Sequence, residues 1–254
     1  METLGTTSRF GINANGLRTW GMIFVLAGII SRSVLQNQFL GMGSVTGAEL
    51  VELMQASESA MRIATIALIQ QALETCAVPI FAFLLVEGFQ KAESMKEYAI
   101  RIGLVAVVSE IPYNLAMSQT VLDLSSRNPA MGLLLGLALL YLYNRFAGSK
   151  AICILVTIAG FAWAWMLGID HGVAMVLMIA VIWGFRKKPL IRGFVGSAVA
   201  VLCTVGSMFY LAAPMGFLAI HFYNGEPGPD NKIVNMAIYP VSLLVIGLVA
   251  MFAM

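Results

Sequence analysis

Two glutamates stand where carboxylates are costly. Glu87 and Glu110 fall within VPIFAFLLVEGFQKAESMKEYAIRIGLVAVVSEIPYNLA (residues 78–116), inside or at the edge of runs that otherwise read as lipid-soluble helix. Insertion scales put the cost of one ionisable group at the centre of a span at about 2.5–3.5 kcal/mol, which makes such groups functional candidates by default. Arg32, Glu74, Asp170 and His171, near the ends of other apolar runs, meet the same description. The chemistry open to them is proton transfer. A carboxylate or an imidazole can take a proton from a nucleophile, and histidine does so most readily near neutral pH.

Each candidate also has a plain structural reading. Glu87 precedes Lys91 by four residues, so an i to i+4 pair at the interface accounts for it equally well. Glu110, followed by Ile111, Pro112, Tyr113 and Asn114, belongs either to a polar cleft or to an ion pair with an arginine that holds two helices together. Asp170-His171-Gly172 lies at the mouth of a short turn, where a lone histidine is more often a cap or a solvated residue; the adjacent aspartate favours a proton carrier. His221, beside Phe222 and Tyr223, reads as an interfacial anchor. Cys76, Cys153 and Cys203 are widely spaced within apolar runs and read as packing residues, with no disulfide framework and no metal site expected. The four bases at 186–192 read as a positive-inside clamp, with attraction of a polyanionic cofactor as the alternative. There is no phosphate loop, dinucleotide fingerprint, HExxH or serine elbow, and no feature implies nucleic acid.

The elements that must position these residues are membrane helices. Of 254 residues 59% are hydrophobic and 11% charged, against about 25% charged in soluble domains. A spanning helix needs about 20 apolar residues, and about eight segments qualify: 17–36, 62–89, 97–117, 130–147, 151–168, 171–186, 193–222 and 233–254. The second and seventh are long enough to be tilted, broken or re-entrant, and Pro79 and Pro214 predict interruptions there. The expected fold is all-α, a polytopic bundle forming one integral membrane domain over residues 1–254. Two arginines precede the first run and no cleavage pattern follows it, so it reads as a retained span. Leu50, Leu53 and Met54 suggest an amphipathic helix at the interface.

Charge sets the orientation. With eight spans, Arg9, Arg18, Lys91, Lys96, Arg101, Arg145, Lys150, Arg186, Lys187, Lys188 and Arg192 all fall on one side. Glu49, Glu52, Glu58, Asp123, Glu226 and Asp230 fall on the other. Both termini are thus expected in the cytoplasm, in a multi-pass protein of the cell membrane with lipid as its surrounding partner.

The segment PIFAFLLVEGF, followed about twenty residues later by SEIPYNLA with Tyr98 and Arg101 between them, resembles the TraX family of membrane acetyltransferases. RNPAMGLLLGLALLYLY, DHG at 170–172, FYNGEPGP and YPVSLL extend the resemblance in order along nearly the whole chain. It implies a bacterial inner-membrane protein, acetyl-CoA as acetyl donor, and a peptide or surface-polymer acceptor. The acceptor of the founding member is the F-pilin subunit. It also implies that Glu87, Arg101, Glu110, Tyr113, Asn114, Asn128, Tyr223, Gly225 and Tyr239 line or shape the site. Glu110, Asp170 and His171 are then the residues to suspect of catalysis.

The chain departs from the family pattern at three places. Ala27, Gly28 and Ile29 replace an Asp-His pair late in the first span, Glu74 and Thr75 stand where an arginine is usual, and Ser242 takes the place of a histidine. His171 is the available substitute. Two further readings therefore stand beside the acyltransferase. One is a non-catalytic scaffold or partner subunit that has lost the family histidines; the other is transport of a small solute through the same cleft.

Overall fold

The computed structural model describes residues 11–40, 52, 55, 57–229 and 231–252. The interfacial helix expected around Leu50, Leu53 and Met54 lies outside them, as do Glu49 and Asp230. The described residues form an all-helical bundle without strands.

Helix α1 (Ala14–Ile30) starts at Asn13, whose side chain accepts from the Gly16 N–H at 2.8 Å, satisfying one of the donors that a helix start leaves open. It runs directly into a π-helical segment, Ser31–Phe39. The Ser31 hydroxyl donates to Ala67 O at 2.8 Å and accepts from Gln36 at 3.0 Å, which ties the widened turns to the next helix. Helix α2 (Glu58–Lys91) has 34 residues, a length of roughly 50 Å. The expected break at Pro79 does not occur: the helix is continuous through it. The strip Glu74–Ile80 is buried on all sides, and Gly216 packs directly on Pro79 and Cys76. Tertiary packing therefore holds the helix where the missing N–H would loosen it.

The third expected span is two helices, α3 (Met95–Val108) and α4 (Glu110–Ser118), joined at Ser109. Helix α5 (Pro129–Arg145) opens on Asn128, whose side chain accepts from Ala130 N at 2.9 Å, with Pro129 in the first helical position. Helices α6 (Lys150–Met166) and α7 (Gly172–Gly184) follow. Helix α8 (Pro189–Leu202) gives way to two short 3-10 turns, Cys203–Val205 and Met208–Ala212, then to α9 (Pro214–His221) and finally α10 (Lys232–Phe252). Among the described residues, four stretches are long and apolar enough to cross a membrane: Ala14–Asn37, Glu58–Lys91, Met95–Ser118 and Lys232–Phe252. The apolar helices between α5 and α10 are shorter.

The run 193–222 is broken and doubles back, the re-entrant form that its length left open, and the expected order of eight traverses changes with it. Contacts along α2 trace the path of the chain. Phe209 O accepts from Thr75, Ala212 O from Cys76, and Gly216 meets Pro79. The Tyr223 ring then lies 5.2 Å from that of Phe83, and Lys91 donates to Gly225 O at 2.9 Å. So α8 enters the bundle, the 3-10 turns form a tip, and α9 returns to the end where α8 began. Pro214 does mark the interruption.

The loop after α9 consequently sits beside Lys91 and the start of α1, with Ala14 N donating to Glu226 O and Asn224 N to Ile12 O. It was expected on the opposite side, with Glu226. Helix α10 leaves from this basic end and runs to the far end, where Gly247 packs on Leu115 and Ala116. The start of α1 and the end of α10 therefore lie at opposite ends of the bundle, whereas both termini were expected on one side. A segment that doubles back adds one traverse, and this inverts everything after it.

The main core joins Leu17, Ile80, Phe83, Leu140, Ile179 and Ile182 on α1, α2, α5 and α7. A second cluster, with Ile29, Tyr113, Tyr239 and Leu243, packs α10 against α1 and α4. Large apolar side chains face outwards over much of the bundle, among them Phe194, Val205 and Phe252. Such continuous apolar exposure fits a surface solvated by lipid.

Candidate functional site

The turn between α6 and α7 carries Asp170 and His171. It is pinned to the loop before α5, since Arg127 N donates to Gly168 O and Asp170 N to Arg127 O, each at 2.9 Å. Gly168 has φ +61 and its α-carbon faces Ser125 O, so a side chain there would collide with backbone. His171 itself adopts the left-handed conformation, φ 55, at the start of α7. The loop is further shaped by Asp123, which accepts from the Ser125 hydroxyl and N–H. Those two hydrogen bonds hold its carboxyl low, at about 2.

Around this turn four elements bring ionisable groups together. Arg32, from the π-helical segment, lies 2.6 Å from Glu74 of α2 and 2.8 Å from Asp170. The Tyr113 hydroxyl of α4 donates to Asp170 at 2.9 Å. His171 Nε2 stands 3.5 Å from Glu74 and 3.8 Å from Asp170, while Nδ1 is 2.6 Å from the hydroxyl of Tyr210 on the hairpin tip. The Glu74 side chain is only 3% exposed and those of Asp170 and His171 are 16%, so these charges interact with little solvent screening. Arg32 Nε, His171 Nε2 and Tyr239 Oη are buried without a hydrogen-bond partner among the described residues. Glu74, Asp170 and His171 offer ligand atoms within 4.8 Å of one another, a spacing that could hold a metal ion. The Arg32 guanidinium already stands against both carboxylates and supplies the positive charge there.

Glu110 belongs to a different cluster. It accepts from Arg127 at 3.1 Å, from the Asn128 backbone N–H at 3.3 Å and from the Asn128 side chain. Asn128 also donates to Ala106 O at 2.9 Å and caps α5. Both carboxylate oxygens are thus engaged in clasping the first turn of α4 to the start of α5. This is the arginine-paired alternative open to it in sequence, and Glu110 lines neither of the two cavities described below. Asn114 is buried with its side-chain amide unpaired.

Glu87 lies at the basic end, thirteen residues along α2 from Glu74 and so roughly 20 Å away. It pairs with Lys91 at 2.7 Å and accepts from Tyr223 at 3.2 Å. The expected site residues therefore separate into three groups. Asp170, His171, Tyr113 and Tyr239 surround the buried centre, Glu110 and Asn128 form the adjoining clasp, and Glu87, Tyr223 and Arg101 stand at the basic end. Tyr210, Arg127 and Ser126 were missed. A tyrosine between Gly206 and Pro214, in an apolar run with two such breakers, was the available signal for Tyr210.

Two cavities meet at the centre. The first, about 230 Å³, has Arg18, Arg101 and Lys232 among its lining residues and reaches Glu74, His171 and Tyr239 between apolar walls. The second, about 400 Å³, is lined by Arg32, Asp170, Ser207 and Tyr210, and again by Glu74 and His171. Among the described residues, only Glu74 and His171 line both.

A family model described as TraX protein matches residues 64–250. The chain belongs to the TraX family. Comparison with curated proteins gives no match, and neither does comparison with solved structures. In this TraX-family protein the matched range runs from α2 into α10 and contains Glu74, Asp170, His171 and Tyr210. Arg32, the cation that joins the two buried carboxylates, comes from outside it.

Proposed function

We propose that this TraX-family protein is a membrane acyltransferase that moves an acetyl group from acetyl-CoA to the amine or hydroxyl of a peptide or cell-surface acceptor. The observation that carries the reading is the pair of cavities sharing Glu74 and His171. Arg18, Arg101 and Lys232 at one end of the first cavity suit the phosphates of a coenzyme A thioester, because fixed cations bind phosphate through charge-assisted hydrogen bonds. Phe81, Ile102 and Leu133 offer an apolar passage for its arm towards His171. The second cavity would receive the acceptor. The acceptor loses a proton to the His171 imidazole, its heteroatom bonds to the carbonyl carbon, and the carbon–sulfur bond breaks. The proton leaves on the thiol. Tyr239, which lines the first cavity with its hydroxyl unpartnered among the described residues, would donate to the oxyanion that develops on the thioester.

The membrane orientation is part of this reading. Lys91, Lys96, Arg101, Arg145, Lys150, the bases at 186–192 and Lys232 belong to one end of the bundle, which by the positive-inside rule faces the cytoplasm, where acetyl-CoA is made. The first cavity then opens to the donor compartment. The start of α1 lies on that side and the end of α10 on the other, with the protein in the bacterial inner membrane.

One observation favours a second reading, the non-catalytic scaffold. Arg32 bound to both carboxylates and the saturated Glu110 clasp have the form of structural ion pairs. Thermal stability of the detergent-purified protein with acetyl-CoA, and with free CoA beside it, separates the two. A ligand at a hundredfold excess over its dissociation constant stabilises the folded state by about 2.7 kcal/mol. A saturable shift, weakened when Lys232 or Arg101 is replaced by alanine, is the acyltransferase result. No shift at millimolar ligand is the scaffold result.

A further inference from the structure

His171 presents its two ring nitrogens to opposite surroundings. Nε2 faces carboxylates, 3.5 Å from Glu74 and 3.8 Å from Asp170, while Nδ1 lies 2.6 Å from the Tyr210 hydroxyl. A nitrogen lone pair aimed at two carboxylates is repelled, so the proton of the neutral imidazole belongs on Nε2 and the lone pair on Nδ1. Tyr210 then donates its O–H to Nδ1. Carboxylate, imidazole and hydroxyl stand in the order used by acyl-transferring triads, with a phenol where those sites carry serine.

The fold holds Tyr210 in that place. The hairpin tip is fixed to α2 on both sides of it, by Thr75 donating to Phe209 O at 2.9 Å and Cys76 donating to Ala212 O at 3.2 Å. The Tyr210 and His171 rings meet edge to face with centroids 5.7 Å apart. Tyr210 lines the second cavity and is absent from the first, whereas His171 lines both.

We propose that Tyr210 is a further catalytic residue, whose hydroxyl meets the acceptor in the second cavity and relays its proton to His171. The proposal rests on the acyl-transfer reading. As the acceptor attacks the thioester carbonyl, its N–H or O–H proton passes to the Tyr210 oxygen while the proton of Tyr210 moves to His171 Nδ1. The heteroatom–carbon bond forms and the carbon–sulfur bond breaks. The imidazolium, held between Glu74 and Asp170, gives its Nδ1 proton back through the Tyr210 hydroxyl to the departing thiolate where the two cavities meet, and Nε2 keeps its own proton throughout. Every group ends as it began. Arg32 acts only as a positioning residue, by holding both carboxylates beside Nε2.

The test uses the full-length protein in proteoliposomes with labelled acetyl-CoA and two probe nucleophiles. Water must lose a proton to attack a thioester; hydroxylamine, with an unprotonated and strongly nucleophilic nitrogen at neutral pH, needs no base. Tyr210→Phe should lower the turnover number for hydrolysis by roughly a hundredfold and leave both the KM for acetyl-CoA and transfer to hydroxylamine unchanged. Equal hydrolysis rates in the two proteins would overturn the proposal. So would a parallel fall with hydroxylamine, because the phenol would then only shape the cavity. Replacement of Tyr210 by 3-fluorotyrosine, nearly isosteric and more acidic, guards against misfolding: it should move the pH profile of hydrolysis to lower pH, and an unmoved profile counts against the relay. A wild-type protein that neither binds acetyl-CoA nor acetylates hydroxylamine would remove the acyl-transfer reading itself, a failure seen before any variant is made.

Discussion

The buried centre around His171 and the clasp around Glu110 are neighbours made of similar residues, yet they are finished differently. In the clasp, Glu110 meets one guanidinium, one side-chain amide and one backbone N–H, and Asn128 uses its remaining groups on Ala106 and Ala130. At the centre, Arg32 Nε, His171 Nε2 and Tyr239 Oη are left without hydrogen-bond partners among the described residues, and two cavities reach the same pair of side chains. Leaving a buried polar group unpaired costs about 1–3 kcal/mol. A satisfied cluster stabilises the fold by being closed, while an unsatisfied one beside open space is suited to receive something.

That contrast can be broken most directly at His171. His171→Gln should reduce acetyl transfer by about 10²–10⁴-fold while the melting temperature and its shift with acetyl-CoA remain; initial rates and melts on one preparation decide it. Removing Arg32 should act on stability instead. Arg32→Leu leaves two buried carboxylates without their cation and should cost about 3–5 kcal/mol, read by chemical denaturation, with Arg32→Lys partly restoring it. Glu110→Gln sharpens the comparison from the other side. It weakens charge-assisted hydrogen bonds worth about 1.5–3 kcal/mol but should leave transfer per folded molecule intact. If transfer collapses while stability holds, Glu110 belongs to the chemistry and the two regions are not distinct. The smallest effect is expected at Glu87→Gln, under about 1 kcal/mol, because its Lys91 partner is 53% exposed.

Particular residues show how far the sequence could be read. The cost of Glu110 in a span, and its two possible explanations, followed from hydropathy alone; that its partner is Arg127 could not, because Arg127 sits in a loop whose fold back onto Ala106 depends on Asn128. Asp170 and His171 were legible as an adjacent pair. Their meeting with Arg32 and Glu74, 42 residues apart from each other in sequence, depends on how α1 and α2 pack. Pro79 and Pro214 gave the same local signal, yet the chain is interrupted only at Pro214, which opens α9 after the 3-10 turns of the tip, while Pro79 is enclosed by packing within a continuous helix.

Composition was enough to predict a bundle of apolar helices, and the spacing of lysines and arginines was enough to predict that the bundle has one basic end, because hydropathy and charge are properties of residues counted along a chain. Whether the run 193–222 crosses or turns back is not such a property. An apolar segment is equally content with lipid on either path, and the decision rests on Thr75, Cys76, Pro79 and Phe83 offering α2 as the surface along which the hairpin returns. With that one turn come the side of the bundle on which α10 ends, the cavity mouth that Lys232 joins, and the hydroxyl that meets His171.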